Sequence, residues 1–324
     1  MADNLPFISI IIPARLDEPN VRAMEAVCRL DYPADKCEVI LARGKQPSAQ
    51  RNRAVERAQG ELIYFLDDDS MPAPGNLRRA VEYFRDSSIQ MIGGPSLCPQ
   101  NAPALEQAFA LTMGTRLAFG PSRARYSIVG QPRPCSEKEL ILCNMLARRE
   151  TFLRFGGFNE KLYPNEENAL MDQIQKGGGK LYYTPDITIE RHPRSTFKAF
   201  CKMLMNYGRG RAEQFRLTPT PGSILNFIPP AFCIYLVLLP FLSGLLTWLW
   251  WPLIPYIAGA LIEATITSFK GNHPIETPRV ASFIFLTHVL YGIGFFRGCF
   301  TQLTPPKSEV KESIKIEIRH LNDA

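Results

Sequence analysis

The first part of the chain alternates between short apolar runs and segments that have apolar residues at helical spacing. Four of the runs are rich in β-branched residues and bounded by turn-forming residues, which is typical of buried strands. They cover residues 7–12, 38–42, 62–66 and 89–94. The helical segments between them cover residues 21–30, 48–59 and 76–84. Strands that alternate with helices predict a three-layer α/β domain with a parallel sheet.

The pattern becomes less regular after residue 95 and then resumes. Apolar periodicity predicts a helix near residues 105–117, between loops that contain proline and arginine. Further along the chain, the same criteria predict two more strands and two more helices. The strands cover residues 141–148 and 180–183, and the helices cover residues 150–155 and 169–175.

Three apolar stretches dominate the last third of the chain. They cover roughly residues 227–247, 253–268 and 280–303. The first is long enough to span a bilayer, which needs about 20 apolar residues. The second is shorter and contains Glu263 near its end, so it could span the bilayer or lie at its surface. The third contains Arg297, and the number of spans stays open at this stage.

Aromatic and charged residues indicate how these stretches would be arranged in a membrane. All three tryptophans of the chain lie at residues 248–251, between the first two stretches, as expected of an aromatic belt. The segment 270–279 is positively charged, consistent with a hairpin that leaves the cytoplasmic side and returns. A buried hairpin of a soluble domain is the alternative. If the third stretch also spans, the charged tail at 307–319 lies outside, and its positive charge argues against that.

Charge and cysteine content narrow the class of protein. The formal net charge of +6 over 324 residues gives no indication of a nucleic-acid partner. Basic residues concentrate between Arg191 and Arg216, just before the apolar third, which favours a membrane surface or phosphate groups as partners. The eight cysteines show no spacing of a zinc site, so we expect buried thiols in a reducing compartment. Residues 1–4 do not resemble a secretory signal, so the N-terminal domain is expected in the cytoplasm.

An acidic run is the strongest candidate for chemistry. Asp67, Asp68 and Asp69 directly follow the apolar strand at 62–66, where ligands of α/β sheets bind. Like charges this close are unfavourable unless a cation compensates them. Oxygen ligands suit Mg²⁺ or Mn²⁺, which commonly share one or two carboxylates with substrate phosphates. A turn that only caps the following helix would need one aspartate rather than three.

Further motifs surround this run in a specific order. They are residues 10–15 (Ile-Ile-Ile-Pro-Ala-Arg), 47–52 (Pro-Ser-Ala-Gln-Arg-Asn), 93–95 (Gly-Gly-Pro), 156–160 (Gly-Gly-Phe-Asn-Glu), 166–167 (Glu-Glu) and 207–211 (Tyr-Gly-Arg-Gly-Arg). On these residues the chain resembles family 2 glycosyltransferases with the GT-A fold, in particular the membrane-associated succinoglycan-biosynthesis branch. The resemblance covers about residues 7–215. It implies a Rossmann-like, nucleotide-sugar-binding domain at 1–218, membrane-inserted helices at 219–303 and a charged tail at 304–324.

The resemblance also implies roles for the donor-binding residues. Pro13, Ala14 and Arg15 would line the pocket of the nucleotide base. Asp67 and Asp68 would contact the ribose and the diphosphate, and Asp69, with Asp67, would hold the metal.

Two further candidates for the donor site have alternative roles. The helix start at 48–52, with Gln50 and Arg51, could bind nucleotide phosphate, although Ser48 could equally be an ordinary N-cap. His192 could be a further metal ligand, although a lone histidine is more often structural.

The acceptor side follows from the second acidic pair. Glu167 occupies the position of the family's general base, and Glu166 is its rival. A carboxylate there would accept the proton of the attacking hydroxyl. Arg209 and Arg211 match the arginine region of the family's Q-x-x-R-W pattern, where a cation would stabilise the leaving diphosphate.

Three departures from the family pattern limit these assignments. The second strand normally ends in aspartate, whereas here it ends at residues 42–45 (Ala-Arg-Gly-Lys). Arg43 or Lys45 could therefore contact phosphate, and the base specificity is open. Glu167 is one methylene longer than the usual aspartate. The Gln and Trp of Q-x-x-R-W are missing, which favours the addition of one or a few sugars over processive synthesis.

The sequence therefore predicts an inverting glycosyltransferase at the cytoplasmic face of the inner membrane. It would use a UDP- or GDP-linked sugar, Mg²⁺ or Mn²⁺, and a lipid-linked or growing glycan acceptor, in contact with membrane lipids. A polyprenol-phosphate sugar transferase and a non-catalytic nucleotide-sugar-binding subunit of a glycan synthase are the alternatives.

Overall fold

The computed structural model describes residues 5–162, 164–219, 221–242, 244, 246–303 and 313–321. The chain forms two compact units that interleave along the sequence. The first unit comprises Met1–Leu97, Ala124–Arg191 and Thr304–Ala324, and the second comprises Cys98–Arg123 and His192–Leu303. Residues 98–123 and 192–218, which the sequence analysis assigned to the N-terminal domain, thus group with the apolar helices. Whether 1–218 folds as an independent domain stays a prediction.

An eight-stranded sheet forms the centre of the first unit. Its strands are β1 (Ile8–Arg15), β2 (Cys37–Gly44), β3 (Leu62–Leu66), β5 (Ile89–Gly93), β7 (Arg133–Pro134), β8 (Asn144–Arg148), β9 (Lys180–Tyr183) and β11 (Lys315–His320). Their spatial order is β11-β2-β1-β3-β8-β5-β9-β7. A second sheet contains three short strands, β4 (Met71–Pro72), β6 (Ser96–Leu97) and β10 (Ile189–Glu190). Their spatial order is β4-β10-β6.

The predicted α/β fold is confirmed, but the large sheet is mixed rather than parallel. Strands β2, β1 and β3 are parallel, and so are β5 and β9. Strand β8 runs antiparallel between β3 and β5, and both β7 and β11 are antiparallel to their neighbours. An apolar run of a buried strand has the same pattern in either direction, so the sequence pattern did not specify the orientation of β8.

Helices cover both faces of this sheet, as the three-layer prediction requires. They are α1 (Arg22–Val27), α2 (Pro47–Arg57), α3 (Asn76–Tyr83), α6 (Arg149–Arg154) and α7 (Glu166–Lys176). Alternate residues of one strand point to opposite faces. Accordingly Ile10 and Ile12 pack in the cluster that contains residues of α1 and α3. Ile11 packs in the cluster that contains residues of α2, α6 and α7.

The end of the chain contributes an edge strand to this sheet. Residues 304–324 were expected to form a charged tail, but Lys315–His320 forms β11 and pairs antiparallel with β2. The ion pair between Arg43 Nε and Glu317 Oε1, 2.8 Å apart, joins the two strands. Charged side chains are common on edge strands because they discourage further pairing.

In the part of the second unit that the structure describes, the regular secondary structure consists of α-helices and short 3₁₀ segments. They are α4 (Ala104–Met113), α5 (Arg116–Phe119), α8 (Phe197–Leu217), α9 (Ile228–Leu242), α10 (Leu253–Lys270) and α11 (Thr277–Phe300). Three helical segments are long and apolar enough to cross a membrane, judged by length and composition. They cover Gly222–Leu242, Thr247–Lys270 and Pro274–Phe300, close to the three stretches expected from the sequence.

Aromatic and glycine contacts hold α11 against α8 and α4. The rings of Phe109 and Phe200 stack with centroids 4.0 Å apart, and Phe283 of α11 lies 5.2 Å from Phe109. A Cβ at Gly208 would clash with the backbone of α11 at Tyr291, and one at Gly294 would clash with the backbone of α8. The two backbones therefore approach as closely as glycine permits.

Candidate active site

The acidic run forms a fixed turn at the carboxyl end of β3, whose residues are all buried. The backbone N–H of Asp67 donates to the hydroxyl of Ser70, and the N–H of Ser70 donates to the carbonyl of Asp67. The N–H of Ala23 in α1 donates to the carbonyl of Asp68. The three carboxylates are thus held by a turn that is tied to a neighbouring helix.

The three-stranded sheet brings an arginine to this turn. Strand β4 begins one residue after Ser70, and β10 pairs antiparallel with it, with Glu190 opposite Met71. Arg191, the next residue, therefore lies beside the acidic run. Its Nη1 is 3.1 Å from Asp67 Oδ2, and its Nε is 2.6 Å from Asp69 Oδ1.

A second arginine joins the acidic run to the second acidic pair. Arg51 in α2 is buried, and its Nη2 lies 2.5 Å from Asp67 Oδ1. Its Nη1 lies 3.8 Å from Glu166 Oε1 at the start of α7. The two acidic sites that the sequence identified about a hundred residues apart are thus connected through one guanidinium.

The acidic run fits a divalent metal that takes its remaining ligands from a substrate. Burial raises the pKa of Asp68, and the carboxylates of Asp69 and Asp67 raise it further. A cation beside the run would relieve this repulsion. Among the residues that the structure describes, no three His, Cys, Asp or Glu side chains converge to form a complete metal site. One or two carboxylates are what Mg²⁺ commonly takes from a protein when phosphates supply the rest.

The two glutamates at the start of α7 have different surroundings. The preceding residue, Asn165, has a φ of 93°, in the left-handed region that asparagine tolerates better than most residues. Glu166 is only 2% exposed. Burial, and then the charge of Glu167, raises the pKa of Glu166 to about 8, so this carboxyl keeps its proton at neutral pH.

Glu167 is more open than Glu166 and lies beside a different arginine. Its Oε1 is 3.7 Å from Nη1 of Arg125 and accepts a hydrogen bond from the Asn168 amide. Arg125 is itself fixed, because it donates to the backbone carbonyls of Glu137 and Lys138. A carboxylate in this position can accept a proton while its orientation is held.

The residues expected around the nucleotide base lie together at the carboxyl ends of β1 and β2. Pro13, Ala14 and Arg15 pair in register with residues 42–44. The Gln50 side-chain amide donates to the carbonyls of Ala14 and Ala42, so it connects the two strand ends. Its expected contact with a nucleotide stays a prediction.

Arg43 connects three segments at the same edge of the sheet. It pairs with Glu317, and its Nη1 donates to the backbone carbonyl of Glu18 at 2.7 Å and of Arg15 at 3.3 Å. A carboxylate from β11 thus lies beside the strand end where the family pattern has an aspartate.

Three candidate residues belong to the second unit and have partners within it. His192 Nδ1 lies 2.7 Å from Oε2 of Glu106, a buried residue of α4. Arg209 pairs with Glu213, and Arg211 donates to Gln214. The metal role of His192 and the diphosphate role of the two arginines stay predictions.

Sequence reasoning missed Arg191 and Arg125 as members of the site. The sequence places Arg191 only at the start of the basic segment before the apolar third, and Arg125 only in one of the loops that contain proline and arginine. The available signal was the position of Arg191 directly after a short strand, because side chains at carboxyl strand ends face ligand sites in such folds.

Comparison with known proteins agrees with this geometry. The family model described as glycosyltransferase like family 2 matches residues 5–205. Glycosyltransferase AglE from Haloferax volcanii is 22% identical over 248 residues, covering 67% of this chain and 77% of the relative. The succinoglycan biosynthesis protein ExoA from Rhizobium meliloti is 24% identical over 196 residues, covering 59% of this chain and 56% of ExoA. The chain thus spans little more than half the length of ExoA.

A solved structure has the same fold over most of the chain. Mannosyltransferase PcManGT from Pyrobaculum calidifontis, determined in complex with GDP-Man and Mn²⁺, superimposes with a TM-score of 0.56 at 15% identity. The match covers 92% of this chain and 88% of PcManGT.

Proposed function

The chain belongs to the glycosyltransferase-like family 2, and from this premise we propose that it transfers a sugar from a UDP- or GDP-linked donor, with inversion, to a lipid-linked or growing glycan acceptor. One observation carries the proposal. The acidic run at the end of β3 and the acidic pair at the start of α7 lie in one compact unit and share Arg51. The carboxylates that would bind the donor and the pair that contains the candidate base are thus linked through the same arginine.

The donor end would bind the nucleotide diphosphate. Asp69 and Asp67 would hold Mg²⁺ or Mn²⁺, which would neutralise part of the diphosphate charge when bound. The complex of PcManGT with GDP-Man and Mn²⁺ supports the use of a divalent metal, but not the choice of ligands. Arg191 and Arg51 lie against the same carboxylates and would add positive charge beside the leaving group.

The acceptor end would deprotonate the attacking hydroxyl. Glu167 would accept this proton as the acceptor oxygen bonds to the anomeric carbon and the bond to the donor phosphate oxygen breaks. A single displacement of this kind inverts the anomeric configuration. Glu166 keeps its proton at neutral pH and therefore adds no second negative charge beside the base.

The apolar helices would place this chemistry at the cytoplasmic face of the membrane. The three candidate spans and the basic helix α8 support an acceptor that is attached to lipid. We expect α9 and α10 to form a hairpin whose turn, at Trp248–Trp251, lies at the opposite surface.

The test is a panel of UDP- and GDP-sugars with released nucleotide as the readout, with and without a chelator. We expect release from one donor class with Mn²⁺ or Mg²⁺, and its loss with the chelator. Asp69→Ala and Glu167→Gln should each lose most transfer activity, whereas the exposed controls Asp35→Ala and Glu150→Gln should keep it.

Other results would redirect the assignment. An active Glu167→Gln would favour transfer to a polyprenol phosphate, whose anionic oxygen needs no strong base. If neither site variant changed glycan product in cells, the chain would be a non-catalytic nucleotide-sugar-binding subunit.

A further inference from the structure

We propose that α11 does not cross the bilayer, although it is long and apolar enough to do so. In this proposal α11 lies along the membrane surface beside α8, and the C-terminal strand is on the same side as the acidic run. The inference rests on the membrane attachment in the proposed function. It implies that the chain crosses the membrane an even number of times.

The sheet of the first unit requires an even number of membrane crossings. Strands β1, β2 and β3 precede the apolar helices in the sequence, and β11 follows them, yet β11 pairs with β2 along its whole length. Strands of one sheet are on one side of a bilayer, so the helices between them must cross an even number of times. Three crossings, one for each candidate span, would place β11 on the wrong side.

The segment between α11 and β11 cannot supply a compensating crossing. It is short and contains Lys307, Glu309, Lys311 and Glu312. A crossing needs about 20 predominantly apolar residues in a helix, and charged residues are unfavourable in the hydrocarbon region. One of the three helices must therefore stay on one side.

The contacts of α11 with α8 indicate that α11 is the helix that does not cross. The two helices run in the same direction and remain in contact from Phe200 against Phe283, with ring centroids 5.8 Å apart, to Arg216. Arg216 Nη1 donates to the carbonyls of Gly298, at 3.1 Å, and Thr301. If α11 crossed the bilayer, α8 would be immersed beside it.

Helix α8 is too highly charged to be immersed. Its charged residues are Lys198, Lys202, Arg209, Arg211, Glu213 and Arg216. The uncharged segment between Lys202 and Arg209 rises only about 9 Å at 1.5 Å per residue, against a hydrocarbon core of about 30 Å. A basic helix of this kind fits the headgroup region instead.

The surface of α11 agrees with a position along the membrane. Of its apolar window, 44% is buried within the protein, against 11% for each of the other two candidates. The exposed large apolar side chains of α11 are Phe285, Ile293, Phe296 and Phe300. The Phe285 ring lies 6.1 Å from that of Phe232 in α9 and 6.5 Å from that of Tyr256 in α10, so it packs on neighbouring helices. At 3.6 residues per turn the other three fall within an arc of about 60°, on the side opposite the contacts with α8. In its last two turns α11 therefore packs on α8 with one face and presents an apolar stripe to lipid with the other.

The test is the sidedness of short epitope tags in the full-length protein, one at each of three positions: before Met1, at Asn272 between α10 and α11, and after Ala324. Tag accessibility to antibody is measured in intact and in permeabilised right-side-out membranes. We expect all three tags to be accessible only after permeabilisation. Tags at Asn272 and after Ala324 on opposite sides would overturn the proposal.

The same preparation separates this inference from the proposed function. Loss of all tags from carbonate-washed membranes would contradict membrane attachment itself. Retention of the tags with the expected sidedness, but without nucleotide release from any donor, would contradict only the enzymatic assignment. If the tag at Asn272 prevents expression, the tags before Met1 and after Ala324 still decide the parity, because an odd number of crossings places them on opposite sides.

Discussion

Charged side chains have different kinds of partner in the two units of this chain. In the first unit, ion pairs between side chains gather at one end of the sheet, where Arg51 and Arg191 meet the acidic run. In the second unit, polar side chains inside the apolar helices pair mostly with backbone. Both carboxylate oxygens of Glu263 accept from backbone N–H groups, those of Arg116 and Leu117.

This difference indicates what each unit is built to do. A charge paired with another side chain can exchange that partner for a substrate, whereas a charge that caps backbone groups is committed to the fold. We therefore expect substitutions in the first unit to change activity more than stability, and those in the second unit to do the reverse.

The largest expected effect is on catalysis, at Arg51. Arg51→Ala would remove the cation shared by Asp67 and Glu166, and we expect kcat/KM to fall roughly 10²- to 10³-fold, as for other preorganised charges at reacting centres. Steady-state kinetics with the preferred donor would measure this. Arg53→Ala, at an exposed arginine of the same helix, is the matched control. Equal activity of the two variants would show that Arg51 is not part of the site.

The next effect should separate the apolar helices from one another. Ile234 in α9 and Ile293 in α11 are almost equally exposed, at 49% and 48%. Ile234→Lys should reduce the membrane-integrated fraction, because a lysine near the centre of a crossing helix costs about 2.5–3.5 kcal/mol. Ile293→Lys should have little effect, because its ammonium can reach the headgroups. Carbonate extraction would compare the two, and an equal loss in both would contradict the difference between α9 and α11.

A smaller effect on stability is expected at Glu263. Glu263→Ala would leave the N–H groups of Arg116 and Leu117 without their acceptor, which typically costs about 1–3 kcal/mol. Glu263→Gln keeps one acceptor oxygen and should lose less. Thermal unfolding in detergent, with nucleotide release as a second readout, would show reduced stability with preserved activity at low temperature. A loss of activity without a loss of stability would reverse our interpretation of this unit.

The smallest effect is a pH dependence that arises at Glu166. Its carboxyl titrates near 4.5 in an unfolded chain and near 8 in the folded protein, beside Glu167 and Arg51. Between these values only the folded state binds the proton, so this group makes the free energy of unfolding decrease as the pH rises. The slope should be on the order of 1 kcal/mol per pH unit between these values. Glu166→Gln should flatten the dependence between about pH 5 and 8, and an unchanged slope would show that Glu166 is ionised at neutral pH.

Much of the first unit could be predicted from the sequence because its buried strands appear there as short apolar runs. The runs at 62–66 and 180–183 have the same bounds as β3 and β9 in the structure. The direction of β8 and the pairing of β11 could not be predicted, since they depend on partners that are distant in the sequence. For the same reason the helix near 105–117 was found, but its grouping with the apolar helices was not.

The candidate site shows the same limit. Acidic groups at strand and helix ends are visible as motifs, so Asp67–Asp69 and Glu166–Glu167 were identified. Arg191 pairs with a residue 122 positions earlier in the chain, and no local pattern encodes that pairing. An arginine that completes a site is therefore harder to predict from the sequence than the carboxylates with which it pairs.

The position of β11 has a consequence for biosynthesis. The ribosome completes β1, β2 and β3 long before residues 315–320 emerge, and all of the apolar helices are made in between. During that time β2 is an unpaired edge, which is a site for aggregation. The catalytic sheet can therefore be completed only after the hydrophobic segments have left the ribosome. If those segments enter the bilayer, as we propose, their insertion and the completion of the sheet become successive steps of one synthesis.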